Sequence, residues 1–166
     1  MRHLPGMIFI SPSPTADSRT ARGEVTKQQL LESTKQHICD VQNAMTFFFS
    51  MINRVARDHD HTKIEYMDDF YWSFSREIKK EPVSDFKNEP WYQRHISEER
   101  HHIKDRCPED VDLIDVLEHI SDIVMAGLGR HGHVEPDSID PAILERAYQN
   151  TIKLLTDSVE IRDWSF

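Results

Sequence analysis

The chain has 166 residues, a formal net charge of -9 with neutral histidines, 38% hydrophobic residues, 30% charged residues and only five glycines. This length suits one domain with a single core, and the few glycines favour a soluble helical protein over a β-sandwich. No block of Lys and Arg offers the basic stripe that a nucleic-acid-binding protein needs, so we expect no nucleic-acid polymer as a partner.

The two cysteines and the short apolar runs indicate in which cellular compartment the protein is found. Cys39 and Cys107 are isolated, without the spacing of a metal-binding pair or of a disulfide framework, which predicts free thiols in a reducing environment. The run Met7 to Ile10 is too short for the core of a signal peptide, and no apolar run is long enough to cross a bilayer. We therefore expect a cytoplasmic protein with no membrane partner.

Residues 1–23 are predicted to form a flexible leader. The run Ser11 to Pro14 and the small polar residues after it cannot support a helix or bury much surface. Within this leader, Met7 to Ile10 is the one segment expected to pack as a short strand. Residues 24–166 are predicted to form the helical domain.

A long first helix is predicted to begin near Thr26, where Thr26 and Gln29 have the form of a capping box, and to end at the polar run Arg57 to Asp60. Apolar spacing predicts one stripe facing the core, and His37 lies on it. The residues of the stripe are Leu30, His37, Val41, Met45, Phe48, Ile52 and Val55. The run Phe47 to Phe49 widens the apolar surface and leaves room for a helical homodimer.

Thr62 to Glu65 has the form of a second capping box and predicts a second helix. The apolar face of this helix would comprise Ile64, Met67, Tyr71, Phe74 and Ile78. Pro90 is predicted to be the first residue of a third helix. On that helix His95 and His102 would lie two turns apart, too far for one ion to bind both.

A fourth helix is predicted to begin at the run Cys107 to Asp110 and to end at Gly127 and Gly129. Polar residues form a line beside its apolar stripe. They are Asp115, Glu118 or His119, and Asp122. Asp140 followed by Pro141 predicts the cap and first residue of a last helix.

The adjacent His59 and Asp60 are the centre of the predicted chemistry. A neutral imidazole next to a carboxylate lets one turn of backbone present two ligands to a divalent ion. Such an ion neutralises the charge of phosphoryl oxygens and makes hydroxide available near pH 7. The residues that would bind a first ion are His37, His59, Asp60 and Asp122. Taken singly, His37 is better explained as a buried histidine bonded to a carbonyl, and Asp122 as a solvated carboxylate; the set in this order is what favours a metal site.

The order of these residues on helices resembles that of the HD-domain superfamily of metal-dependent phosphohydrolases. Four runs carry a closer resemblance to a family of HD-like proteins from phages and bacteria. They are HDHTK at 59–63, WYQRH at 91–95, RHH at 100–102 and LIDVLEHISD at 113–122. The resemblance implies an all-α fold, a single HD-like helical bundle of five or more helices. It also implies one or two divalent ions (Mn, Co, Mg, Fe or Zn) and, if a phage encodes the chain, the host cytoplasm.

The resemblance also implies roles for the remaining histidines. His95 and one of His101 or His102 correspond to the additional ligands of two-metal HD proteins, in which Asp60 would bridge the ions. With a single ion, these histidines would instead contact a phosphate or act as general acid, the role considered for His102.

Lys63 is the nearest cation to the His-Asp pair and, with Arg100 and Lys104, is the predicted phosphate clamp, although each of them taken singly is better explained as a solvated side chain. Glu118, one turn before Asp122, would support a ligand or act as a base. The candidate catalytic residues are Lys63, Glu118 and His102. Small HD nucleotidases often carry a catalytic glutamate in the region where Lys63 stands, so this chain departs from their pattern there.

The sequence therefore predicts an enzyme, a metal-dependent phosphohydrolase acting on a nucleotide or a similar small phosphate ester. Two alternatives stay open. One is an HD-type di-iron oxygenase, which uses the same ligand order to activate dioxygen. The other is a non-catalytic helical binding protein with a degenerate site.

Overall fold

The computed structural model describes residues 6–12, 23–79 and 85–162. Within these ranges the elements in chain order are β1 (Ile8–Ile10), α1 (Lys27–Asp58), α2 (His61–Glu65), α3 (Met67–Ile78), a 3₁₀ helix (Phe86–Asn88), α4 (Pro90–Glu98), α5 (Leu113–His131), α6 (Pro141–Asp157) and β2 (Val159–Ile161). The predicted all-α class is confirmed. None of the helices in these ranges is long and apolar enough to cross a membrane.

The chain divides into two compact units, one of residues 1–53 with 152–166 and one of residues 54–151. The first unit contains both strands and most of α1. The second unit contains α2 to α5 and most of α6. From the length of the chain we expected one domain with a single core, without this internal division. Most of the predicted leader lies outside the described residues.

The strand expected near the start of the chain is present in the first unit. β1 pairs in parallel with β2, with Ile8 opposite Val159 and Ile10 opposite Ile161. Ile8 is buried, and its amide donates to the carbonyl oxygen of Ser158 over 2.8 Å. The sequence did not predict β2, because its three residues directly follow an apolar helix and carry no separate signal.

α1 begins and ends where the sequence predicts. The amide of Gln29 donates to Thr26 Oγ1 over 3.3 Å, and the amide of Thr26 donates to Gln29 Oε1 over 3.0 Å. These two bonds are the capping box expected from the spacing of a threonine and a glutamine. The helix then runs to Asp58, directly before the His-Asp pair.

The predicted core stripe of α1 is wrong. The buried residues of this helix are Ser33, Phe47 and Met51, which recur at about whole turns along a different line. Apolar residues of the predicted stripe remain exposed. They include Leu30, Val41, Met45 and Ile52. His37 is also exposed, so the imidazole that we expected in the core is in contact with solvent.

The predicted capping box at Thr62 is also wrong. Asp60 precedes α2, and Thr62 lies inside that helix with a fully buried side chain. α2 ends at Glu65 and α3 begins at Met67, so the continuous helix that the sequence predicted is broken. Much of its expected apolar face is exposed. The most exposed residues are Ile64 (74%), Tyr71 (70%), Ile78 (65%) and Phe74 (48%), and Trp72, expected in a core, is 56% exposed.

α5 begins later and ends later than predicted. Its cap is Asp112, which accepts from the amide of Asp115 over 3.1 Å while the amide of Asp112 donates to Asp115 Oδ2 over 2.9 Å. The helix continues through both glycines that we expected to end it. It stops at Gly132, whose φ of 74° is the left-handed conformation that commonly terminates a helix.

The first residues of α4 and α6 agree with those predicted from the sequence. Pro90 is the first residue of α4, as its fixed φ favours. Pro141 is the first residue of α6, and Asp140 Oδ1 accepts from the amide of Ala142 over 2.9 Å.

The core of the second unit anchors the turn that carries His101 and His102. Ile103 and Val111 from the loop between α4 and α5 pack with Val116 of α5 and Ala147 of α6, all of them buried. Partly buried apolar residues complete this cluster. They are Cys107, Leu113, Ile139 and Ile143. The position of the loop is thus set by apolar packing against α5 and α6.

The two glycines of α5 should respond in opposite directions to alanine. A methyl group on Gly127 would lie 2.9 Å from the carbonyl oxygen of His133 and 3.2 Å from the Cα of Val134, whereas nothing lies within 4 Å of one on Gly129. We expect Gly127→Ala to lower the free energy of unfolding by about 1–3 kcal/mol through overpacking. We expect Gly129→Ala to raise it by about 0.5–1 kcal/mol because alanine favours a helix. Urea unfolding measures both, and equal effects would contradict the close approach at Gly127.

Asp115 should be far more important for stability than Asp110, although both contact Arg100. The Asp115 side chain is fully buried and binds the guanidinium through both oxygens, whereas the Asp110 side chain is 77% exposed. Removing one partner of a buried pair costs about 3–5 kcal/mol, so Asp115→Ala should lower the free energy of unfolding on that scale. Asp110→Ala should change it by about 1 kcal/mol or less. A small loss for Asp115→Ala in thermal or urea unfolding would show that the pair is dispensable.

Candidate metal centre

The His-Asp pair occupies the junction between α1 and α2. Asp60 has the left-handed backbone conformation, with φ 55° and ψ 22°, which aspartate tolerates better than most residues. His59 Nε2 lies 3.6 Å from Asp60 Oδ2. The sharp turn therefore leaves both side chains in contact, with neither inside the long helix.

Three groups of side chains in the described part of the chain have ligand atoms within 4.8 Å of one another and could hold a metal ion. These groups are His59, His101 and Glu118; Asp60, His95 and His102; and His59, Asp60 and Asp122. All of these residues belong to the second unit. Six of the seven predicted metal ligands are thus brought into these groups.

His37 is the predicted ligand that is not brought together with the others. It is exposed on α1 and belongs to the first unit, and none of the three ligand groups contains it. The prediction depended on the apolar stripe of α1, which the structure places on another line of the helix.

Asp60 is shared by two of the groups, and its two oxygens have different neighbours. Oδ2 lies near His59 and accepts a hydrogen bond from the ammonium group of Lys63. Oδ1 lies 3.6 Å from His95 Nε2 and 3.8 Å from His101 Nε2, and it is buried without a hydrogen-bond partner. Because buried polar atoms normally have a partner, an orphaned carboxylate oxygen facing two imidazole nitrogens fits a cation ligand.

The ionisation of Asp60 suits this role. Burial opposes the charged form, but the hydrogen bond and the positive charge of Lys63 outweigh burial and lower the pKa of the carboxyl group below its usual value. Asp60 is therefore a carboxylate at neutral pH, which is the form that binds a divalent ion.

Glu118 contacts two of the imidazoles. Its Oε1 lies 3.0 Å from His59 Nδ1 and 3.1 Å from His101 Nδ1. Burial opposes its ionisation, but the two histidines outweigh burial and lower the pKa of Glu118. Because a carboxylate only accepts, a neutral His59 holds its proton at Nδ1 and its Nε2 keeps its lone pair, whereas the contact of Glu118 with His101 Nδ1 does not have the geometry of a hydrogen bond.

The Nε2 atoms of these two imidazoles face other candidate ligands. His59 Nε2 lies 3.8 Å from Asp122 Oδ1, and neither ring nitrogen of the buried His101 has a hydrogen-bond partner among the described residues. Burial disfavours a charged imidazole, but the close carboxylate of Glu118 outweighs burial and raises the pKa of His101. Protons therefore compete with a cation for His101 Nε2.

His95 and His102 lie much closer than the sequence predicts. Their Nε2 atoms are 2.8 Å apart. The expected separation of two turns is wrong because α4 ends at Glu98 and the chain then turns back. Burial and the neighbouring His102 lower the pKa of His95 to about 3, and burial and His101 lower the pKa of His102. Both imidazoles are thus held in the neutral form that binds metals.

Glu99 is the site residue that sequence reasoning missed, and Thr62 has a place other than the helix cap expected for it. Both are buried, and Thr62 Oγ1 lies 2.7 Å from both Glu99 Oε1 and His95 Nδ1. Glu99 stands in a charged run that indicated a solvated helix face. The one available signal was its position four residues after His95, one turn further along.

His119 also lies in a place that the sequence did not predict. It stands in the polar line predicted beside the apolar stripe of α5, but it is buried. Its Nδ1 lies 3.1 Å from the carbonyl oxygen of His101, and its Nε2 lies 3.2 Å from Asp137 Oδ2. His119 therefore fixes the backbone at His101 and lies outside the three ligand groups.

The predicted phosphate clamp is only partly supported. Arg100 binds both oxygens of Asp115 over 2.9 and 2.8 Å and also contacts Asp110. Lys104 forms an ion pair with Asp137. Of the three predicted cations, Lys63 is the one that contacts a candidate metal ligand, while Arg100 and Lys104 hold the loop between α4 and α5.

No protein-family model, curated protein or solved structure matches this chain. The relationship to HD proteins therefore stays a prediction that depends on the sequence motifs. The grouping of histidines and carboxylates around Asp60 is a property of the structure itself.

Proposed function

We propose that this protein is a divalent-metal-dependent phosphohydrolase acting on a nucleotide or a similar small phosphate ester. The observation that carries the proposal is Asp60, whose two oxygens face different sets of ligands. One set adds His59 and Asp122, and the other adds His95 and His102. These residues would hold one or two ions, and the orphaned Oδ1 of Asp60 supports an ion at that position.

The donor types restrict the choice of metal. The set with His59 and Asp122 offers one imidazole and two carboxylates, whereas the set with His95 and His102 offers two imidazoles and one carboxylate. Imidazole favours zinc, iron or cobalt over magnesium, and carboxylate oxygens also accept manganese or magnesium. We infer that Mn, Co, Fe or Zn suits the set with His95 and His102. Mg suits only the set with two carboxylates, Asp60 and Asp122.

A divalent ion bound at this centre would neutralise the charge of phosphoryl oxygens and supply deprotonated water near neutral pH. Lys63 would bind a phosphate oxygen of the substrate, since its ammonium group already contacts Asp60 and its side chain is 30% exposed. One lysine suits a small ester better than a polymer, in keeping with the net charge of -9.

The other two candidate catalytic residues suit supporting roles. Glu118 accepts from His59 and lies close to His101, and its pKa is lowered, so it is a poor proton acceptor near neutral pH. The pKa of His102 is also lowered, which disfavours a general acid and favours a ligand. Proton transfer to the leaving group therefore falls to Lys63 or to solvent.

A specific observation favours a second candidate function. Two imidazoles and a carboxylate, as in the set of Asp60, His95 and His102, are the donors of many mononuclear non-haem iron oxygenases, and the neighbouring set with His59 and Asp122 could hold a second iron. An HD-type di-iron oxygenase is therefore the alternative that the test must distinguish.

Replacing the shared carboxylate should abolish both metal binding and activity. We expect Asp60→Asn to lose bound metal, because the amide carries no charge, and to lose phosphate release from a panel of nucleotides with Mn, Co or Mg. Asp68→Asn is the matched control, since Asp68 is exposed in the first turn of α3. Elemental analysis and a phosphate assay measure the two effects.

Two other outcomes for the wild-type protein would reject the phosphohydrolase. Wild-type protein that binds metal but releases no phosphate from any ester would overturn it. Oxygen consumption with bound iron would then identify the oxygenase. Wild-type protein that binds no metal would reject both enzymes in favour of a binding protein.

Replacing Lys63 should weaken substrate binding more than metal binding. Removing its charge with Lys63→Met should raise KM about tenfold, equivalent to about 1.4 kcal/mol, through loss of a charge-assisted contact to phosphate. Metal content should be retained, because an ammonium group on Asp60 competes with a cation. Steady-state kinetics at saturating metal measures the change, and an unaltered KM would limit Lys63 to neutralising Asp60.

A further inference from the structure

We propose that Thr62 and Glu99 are positioning residues that fix the tautomer of His95, so that its Nε2 lone pair is free for a cation. The inference deepens the proposed function and rests on His95 being a metal ligand there. It assigns a role to two residues outside the predicted site.

The three side chains form one buried chain of hydrogen bonds. Thr62 is 0% exposed, His95 2% and Glu99 4%. Glu99 Oε1 accepts from the Thr62 amide over 2.9 Å and from Thr62 Oγ1 over 2.7 Å. Thr62 Oγ1 lies 2.7 Å from His95 Nδ1. The half-exposed His61 also brings its Nδ1 to 3.0 Å from Glu99 Oε1, so this oxygen has one further neighbour besides Thr62.

The position of each proton follows from this chain. A carboxylate has no proton to donate, and a threonine hydroxyl has one. That proton is directed to Glu99, so Thr62 Oγ1 offers only a lone pair to the imidazole. His95 Nδ1 must then be the donor, and a neutral imidazole that is protonated at Nδ1 has an unprotonated Nε2.

The unprotonated nitrogen faces the candidate metal centre. His95 Nε2 lies 3.6 Å from Asp60 Oδ1 and 2.8 Å from His102 Nε2. Trp91 stacks on the His95 ring, with centroids 5.1 Å apart and planes at 12°, and so restricts its rotation. Both the tautomer and the plane of this ligand are thus set before a cation arrives.

The same chain of bonds also joins α2 to α4, so a purely structural role must be distinguished. Partners that orient metal-binding histidines typically contribute about 10- to 100-fold in metal affinity. A structural hydroxyl elsewhere in the unit would affect stability without affecting affinity or tautomer. Thr151 supplies that comparison, since its hydroxyl bonds the amide of Leu113 and the carbonyl oxygen of Ala147.

The test uses the full chain with ¹⁵N-labelled histidine, first free of metal and then titrated with zinc. Long-range ¹⁵N–¹H correlation should show His95 of the wild type protonated at Nδ1. Thr62→Val should abolish this single tautomer and lower zinc affinity about 10- to 100-fold. Thr62→Ser should retain both properties, and Thr151→Val should lower only the unfolding temperature.

A second variant keeps the test decisive if Thr62→Val does not fold. Glu99→Leu removes the acceptor of the Thr62 hydroxyl proton, so that this proton can turn towards His95 and the single tautomer protonated at Nδ1 should be lost. Wild-type His95 protonated at Nε2, or zinc affinity of folded Thr62→Val within twofold of the wild type, would overturn the proposal. Neither readout involves phosphate release, so absent hydrolysis would refute only the proposed function.

Discussion

The burial of a carboxylate oxygen without a hydrogen-bond donor is the constraint around which the second unit is arranged. Asp60 Oδ1 faces imidazole nitrogens of His95 and His101, and no group in the described part of the chain donates a hydrogen bond to it. Lys63 compensates part of the negative charge of Asp60 from the other oxygen. An arrangement of this kind is unfavourable for stability alone, and it becomes favourable once a cation is shared among the same atoms.

Acidic residues outnumber basic ones in this chain, and the second unit uses them in two ways. Glu118 and Glu99 hold imidazoles in defined orientations, Glu118 directly and Glu99 through Thr62. Other carboxylates bind the basic side chains that a phosphate would otherwise attract. Arg100 and Lys104 are engaged in this way, and they stabilise the loop that carries His101 and His102. The acidic composition therefore supports a site that holds a cation itself.

Structural features that depend on neighbouring residues were predicted well, whereas features that depend on tertiary packing were not. The capping box at Thr26 and the cap at Asp140 need only adjacent residues, so spacing was enough. Six of the seven proposed ligands were found because their order along the chain was informative. His37 and the core stripe failed because apolar residues surround α1, and the contact between His95 and His102 depends on a turn after α4 that periodicity does not reveal.

The left-handed backbone at Asp60 limits what evolution or design can place at this position. Glycine and asparagine share the conformational tolerance of aspartate, but neither supplies a negative charge. Glutamate supplies the charge, but its longer side chain lacks the short local hydrogen bonds that favour this φ of 55°. Backbone geometry and the chemistry of a candidate ligand thus favour the same residue type, so that this position should change more slowly than a candidate ligand within a regular helix.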